Sequence, residues 1–330
     1  MPFSKNIDVE QFQRIIIIRL APLGETVLMT PVIRAMRQGF PHAHIACMTD
    51  SIRTDLVRAN PNLDEVLPYQ SSIPRLIVGM AKRSFQLAVV LQPTFRLVLH
   101  TFLAGIPYRI GFETNSGGRR LLHLSVPNNT NQHETARYLD VARLLGIEPE
   151  SDEPEVFVDE ESQAWATVFL RDAKIDGDCL LIGLNPGSGT TYRRWAIERF
   201  ANVGNSLQSD YSAQLCILGG PREDNLPHEL AALIHGETTV ITGTTPMQLA
   251  AIIQKCNLFI SNDTGPMHLS TALKTTTIAL FGASNPVQWA PIWPQHTVIA
   301  RNNMGEISVE DVLSAVEECL NATTVAREQF

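Results

Sequence analysis

The chain has five cysteines in 330 residues, and no two of them stand at metal-ligand or redox spacing. Cys47, Cys179, Cys216, Cys256 and Cys319 are scattered, as expected of reduced residues in a reducing compartment. Long apolar runs are missing as well. Near the N-terminus the longest is residues 15–18, closed by Arg19, far short of the roughly 20 residues a membrane span needs. No secretory signal is visible, so a cytoplasmic location is expected, with peripheral contact to a membrane surface left open. Neither half has a GxGxxG after its first strand, which disfavours an NAD-dependent dehydrogenase, and there is no Walker A loop. No DxD-type pair of carboxylates is evident, so no obligatory metal is expected, and no other cofactor.

What the chain does have is the make-up of an ordinary soluble protein, 44% hydrophobic and 18% charged. Its length suggests two domains at roughly 100–200 residues each. Charge divides unevenly between the halves. Residues 1–150 hold 16 Lys and Arg against 12 Asp and Glu, whereas residues 151–330 hold 10 against 22. Either this is chance surface composition or the Arg-rich first half meets something anionic. No nucleic-acid partner is expected.

Short apolar runs alternate with amphipathic stretches. Strands are expected at 14–20, 43–48 and 87–91, and helices at 26–38 and 134–145, the latter stopped by Gly146. Residues 147–160, acidic and Pro-containing, read as a linker. The alternation then restarts. Helices are expected at 164–173, 195–207, 247–255, 269–273 and 309–320, with strands at 180–184, 214–218, 239–241, 258–260 and 277–281. β-then-α order implies parallel sheets with helices on both faces, hence an α/β protein with domains at 1–155 and 156–330. Ligands of such sheets sit outside the carboxyl ends of the strands.

Four segments there carry chemistry. In "RLAPLGETVLMTPVIRAM" Glu25 opens a helix. It either complements that helix's dipole or offers a carboxylate as a general base. In "LNPGSGTTYRRWAIERF" a Gly/Ser/Thr loop with Ser188 and Thr191 precedes Arg193 and Arg194. It is either a solvated loop or a cradle for phosphate oxygens. "CILGGPREDN" offers Glu223 as a partner for ribose hydroxyls, or a plain turn. "ISNDTGPMHLSTALKTTTIALFG" brings Asn262, Asp263, Thr264, Gly265 and His268 to a helix N-terminus. Capping accounts for Asp or Thr there, but not for His268.

In order, spacing and context these segments resemble the bacterial heptosyltransferases, glycosyltransferase family 9. The resemblance covers most of the chain, and "SNDTGPMHL" with its following "ALFG" is its most specific part. It implies a GT-B architecture, two Rossmann-like domains facing across a cleft. The C-terminal domain would bind a nucleotide-sugar donor, typically ADP-heptose. The N-terminal domain would bind an anionic acceptor, typically the lipopolysaccharide inner core, with possible contact at the inner membrane surface. The last helix would cross back onto the first domain. By position, Asp263, Thr264, Gly265 and His268 fall at the donor diphosphate and heptose. Ser188 and Thr191 fall at the donor phosphates, and Glu223 near the ribose. Arg193 stands where the family usually has Lys, and Glu25 where it commonly has the Asp proposed as general base. The implied reaction is an inverting glycosyl transfer. Alternatives are another donor or acceptor on the same fold, or a binding protein that kept the donor site without turnover.

Overall fold

The structure, a computed structural model, describes residues 12–114, 117–175, 177, 179–220 and 225–328, with side chains as far as residue 322. The chain divides into two compact units, Met1–Phe157 and Val158–Phe330.

The first unit holds β1 (Arg14–Ile18), α1 (Leu23–Leu28), α2 (Thr30–Gly39), β2 (His44–Thr49), α3 (Thr54–Arg58) and β3 (Glu65–Pro68). After these come α4 (Ile73–Lys82), β4 (Leu87–Val90), α5 (Phe95–Leu103), β5 (Tyr108–Phe112), β6 (Leu124–Val126) and α6 (Glu134–Arg143). All six strands are parallel, in the order β3-β2-β1-β4-β5-β6. β1 has four isoleucines in a row because it is the innermost strand, covered on both faces. Ile16 and Ile18 pack with Leu76 and Met80 of α4 and with Leu97 and Val98 of α5. Ile15 and Ile17 point the other way by strand alternation. Burying each isoleucine contributes about 1.5–3 kcal/mol.

The helix expected at 26–38 is two helices, α1 and α2, broken at Met29. Pro31 is the cause: it lacks an N–H, and its ring clashes with the carbonyl four residues back. The acidic linker is docked on α2. Arg34 donates to Glu155 at 2.5 Å and to the carbonyls of Ser151 and Glu153, and the Glu155 N–H donates to Thr30 Oγ1.

The second unit runs α7 (Glu160–Asp172), β7 (Leu181–Asn185), α8 (Ile197–Tyr211), β8 (Gln214–Leu218), α9 (Leu226–Leu233), β9 (Thr238–Ile241) and α10 (Pro246–Lys255). It continues β10 (Leu258–Asn262), α11 (Gly265–Ala272), β11 (Thr277–Phe281), α12 (Pro286–Trp289), β12 (His296–Ala300) and α13 (Val309–Glu328). Its parallel order, β12-β11-β10-β7-β8-β9, repeats that of the first unit. Each sheet therefore has the Rossmann strand order, reversing between β1 and β4 in one unit and between β7 and β10 in the other. The last helix, expected to return to the first unit, sends Val312, Ala315, Val316 and Cys319 into the core of its own, against α8, β11 and β12.

Candidate active site

At the reversal point of the second sheet β7 and β10 lie side by side, with Asn185 opposite Ser261. Each strand ends in a buried asparagine, and each asparagine ties the two loops together. Asn185 Nδ2 donates to Ser261 Oγ and to Thr264 Oγ1, both at 2.9 Å. Asn262 Nδ2 donates to the Pro186 carbonyl at 2.8 Å, while its Oδ1 accepts the Trp195 N–H at 3.1 Å. The Trp195 ring is fully buried and donates its indole N–H to the Ile307 carbonyl. The loop after β7 is thereby fixed at both ends. Two strand-final asparagines in a row of apolar residues were the available signal for this tie.

The two arginines of that loop part company. Arg194 turns inward and donates from Nε and Nη2 to the Ser188 carbonyl, at 3.2 and 3.0 Å, holding the loop's curve. Arg193 faces the other loop, with Nη1 3.3 Å from Asp263 Oδ2. Asp263 is buried, and that burial pushes its carboxyl above the usual range, against the lowering influence of Ser284 and the charge of Arg193.

Ser188 Oγ and Arg193 Nε of this loop are buried without a partner. Buried polar groups are normally satisfied, so two unsatisfied donors on one loop call for a ligand. Thr264 occupies the cap position of α11, but its hydroxyl accepts from Asn185 and makes no cap bond. The N–H groups of Thr264 and Gly265 donate to no acceptor among the described residues. They add to a positive helix end where an anion is favoured. His268 follows on the first turn of α11, buried, with its ring edge-on to Trp289 at 6.1 Å between centroids.

Other expected residues fare differently. Thr191 lies at the exposed rim of the loop, in a short 3-10 turn, Thr191–Arg193. Glu223 lies outside the described residues. Gly219, in the same segment, has no room for a side chain: a Cβ there would stand 2.3 Å from Pro227 Cγ.

In the first unit Glu25 sits on α1, after the carboxyl end of β1. Arg19 Nη2 donates to its Oε1 at 2.7 Å, and Arg19 Nε donates to the Tyr138 hydroxyl at 3.0 Å. Beneath this pair, Arg137 grips the fully buried Glu134 with Nε and Nη2 and stacks over Phe112 and Tyr138. Burial raises the Glu25 carboxyl above its ordinary value. Arg19 opposes that, Glu134 adds to it, and Arg137 opposes it. The sequence reading missed Arg19, Glu134, Arg137 and Tyr138. Arg19, a charge closing a buried strand, was the one visible signal.

The sequence pattern of glycosyltransferase family 9 (heptosyltransferase) matches residues 73–316. The lipopolysaccharide core heptosyltransferase OpsX of Haemophilus influenzae is 24% identical, over 83% of this chain and 80% of its own length. Among solved structures, a glycosyl transferase family 9 protein from Veillonella parvula superposes with a TM-score of 0.90 at 25% identity, covering 96% of this chain and 100% of that one. The ADP-heptose LPS heptosyltransferase II of Escherichia coli does so with a TM-score of 0.81 at 22% identity, covering 96% and 99%. The chain is therefore a glycosyltransferase with the GT-B fold of two Rossmann-like units, and it belongs to glycosyltransferase family 9.

Proposed function

We propose that the chain transfers a heptose from ADP-heptose to a hydroxyl of an anionic acceptor, the lipopolysaccharide inner core. The relatives' activities support the donor and the acceptor class. The observation that carries the donor site is the corner where Ser188 Oγ and Arg193 Nε are buried and unpartnered beside the Arg193–Asp263 pair. A diphosphate supplies the acceptor oxygens that both atoms lack. The second unit is the donor-binding one in this reading, and the Arg-rich first unit takes the acceptor.

The chemistry is a single displacement with inversion. The acceptor hydroxyl oxygen bonds to the anomeric carbon of the heptose as the bond from that carbon to the β-phosphate oxygen breaks. The electron pair leaves with ADP, and the proton goes to Glu25. Charge grows on the departing diphosphate, where Arg193, the hydroxyls of Ser188 and Thr191 and the free N–H groups of Thr264 and Gly265 stabilise it. Fixed donors of this kind contribute roughly 10²–10³ in rate each. Asp263 and His268 face the sugar and its phosphate in this reading. The test is product analysis by mass spectrometry. Incubation with ADP-heptose and heptose-deficient lipopolysaccharide adds one heptose, and Glu25→Gln removes the addition without removing donor binding.

One observation favours a second reading, a nucleotide-sugar binding protein without turnover. Glu25 is already engaged by Arg19 at 2.7 Å, and an oxygen so held is less free to take an acceptor hydroxyl. Donor binding with no product on any acceptor would decide for that reading.

A further inference from the structure

β11 lies beside β10 in the second sheet, with Leu280 opposite Asn262. The loops that leave the carboxyl ends of these two strands therefore start side by side, and the Asp263 N–H donates to the Leu280 carbonyl at 3.1 Å. The loop after β10 carries Asp263. The loop after β11 carries Ser284.

This second loop is held at several points. Gly282 has no room for a side chain, because a Cβ there would stand 2.6 Å from the Met304 backbone nitrogen. Asn285 caps α12 by accepting the Val287 N–H at 3.1 Å. α12 in turn sets Trp289 against the His268 ring of α11. Between the glycine and the cap, Ser284 is only 9% exposed, and its hydroxyl makes no hydrogen bond. That hydroxyl stands near enough to the Asp263 carboxyl to work against the rise that burial imposes on it. A buried hydroxyl left unpaired destabilises the folded chain, and a ligand that completes it removes the cost. The cap of α12 does not need it, since the next residue supplies the cap.

We propose that Ser284 is a binding residue for the sugar of the donor, its hydroxyl pairing with a sugar hydroxyl beside Asp263. The inference deepens the donor assignment above and rests on it, adding a residue from a third loop. Hydrogen-bond capacity selects the part of the donor that comes here. A phosphate oxygen only accepts and cannot bond a carboxylate, whereas a sugar hydroxyl donates to the carboxylate and accepts from the serine. The diphosphate has Arg193 for its charge. A site built around a sugar hydroxyl also rejects a donor that lacks it, because its own buried groups are then left unpaired.

Calorimetric titration of ADP and of ADP-heptose into the wild type and Ser284→Ala tests it, with melting temperatures alongside. Ser284→Ala binds ADP as the wild type does and ADP-heptose roughly threefold to tenfold more weakly, as expected for one hydrogen bond. Without ligand the variant melts at the wild-type temperature or above it, because it has lost an unpaired buried hydroxyl. At a fixed ADP-heptose concentration its melting temperature rises less than that of the wild type, while ADP raises both equally. A lower melting temperature in the unliganded variant overturns the proposal, since the hydroxyl is then structural. An equal loss for ADP and ADP-heptose overturns it too, placing the hydroxyl at the nucleotide. Unchanged ADP-heptose binding in the variant overturns the role of Ser284 alone. A wild type that fails to bind ADP-heptose overturns this inference and the donor assignment together.

Discussion

Arg193 and Asp263, 70 positions apart in sequence, meet at 3.3 Å and join the loop after β7 to the loop after β10. The pair leaves Arg193 Nε buried and unpartnered, so the guanidinium is held in place with donor capacity to spare. A flexible lysine in the same loop would not present a planar fork in this way.

This pairing sets the first expectation. Asp263→Asn removes a negative charge beside the diphosphate, so ADP binds at least as tightly as to the wild type. Transfer from ADP-heptose nonetheless falls, because the carboxylate that the proposed reaction sets against the sugar is gone. Parallel calorimetry with ADP and steady-state kinetics with ADP-heptose separate the two effects. Weakened ADP binding in this variant would assign Asp263 to the nucleotide instead.

As the proposed base, Glu25 must be ionised to accept a proton, so kcat/KM rises with pH through its pKa. Burial holds that pKa above the ordinary 4.5, and activity is lost as pH falls through it. Arg19 works against the shift, so Arg19→Met moves the acid limb to higher pH and slows transfer at neutral pH. The pH–rate profile of the variant checks this, and a limb that stays where it was assigns the titration to another group.

Glu134 is fully buried and depends on Arg137 for its charge partner. Arg137→Met removes the guanidinium that grips that carboxylate, and loss of one member of a buried pair costs about 3–5 kcal/mol. Urea unfolding reads this as a lower midpoint with an unchanged slope. A midpoint within error of the wild type would mean that Glu134 is neutral in the folded chain.

In the proposed reaction a guanidinium, hydroxyls and N–H groups stabilise the leaving diphosphate. Transfer therefore persists in excess chelator and does not rise on adding magnesium. An assay with and without EDTA decides, and dependence on the metal would move the charge-stabilising role away from Arg193.

Much of this was legible in the chain and some was not, for reasons that differ by residue. Central strands such as β1 and β10 declare themselves because burial on both faces demands unbroken apolar runs. The outer strands β3, β6 and β12 lack that demand and went unread, as did the inner β5, whose short run is broken by Arg109 and Gly111. Pro31 splits α1 from α2, yet the apolar spacing on either side of it reads as one helix. At the site, Asp263, Ser188 and Arg193 stand out in local sequence. Asn185, Trp195 and Tyr138 do not, since their work is done with partners more than 60 positions away. Local spacing carries no record of such contacts.

The most direct test of the donor assignment is calorimetric titration of ADP-heptose into the wild type and the Ser188→Ala, Arg193→Ala variant. The account predicts saturable binding to the wild type and a loss of at least roughly tenfold in the variant, about 1.4 kcal/mol. A variant that binds ADP-heptose as tightly as the wild type would contradict it and move the donor away from the carboxyl ends of β7 and β10.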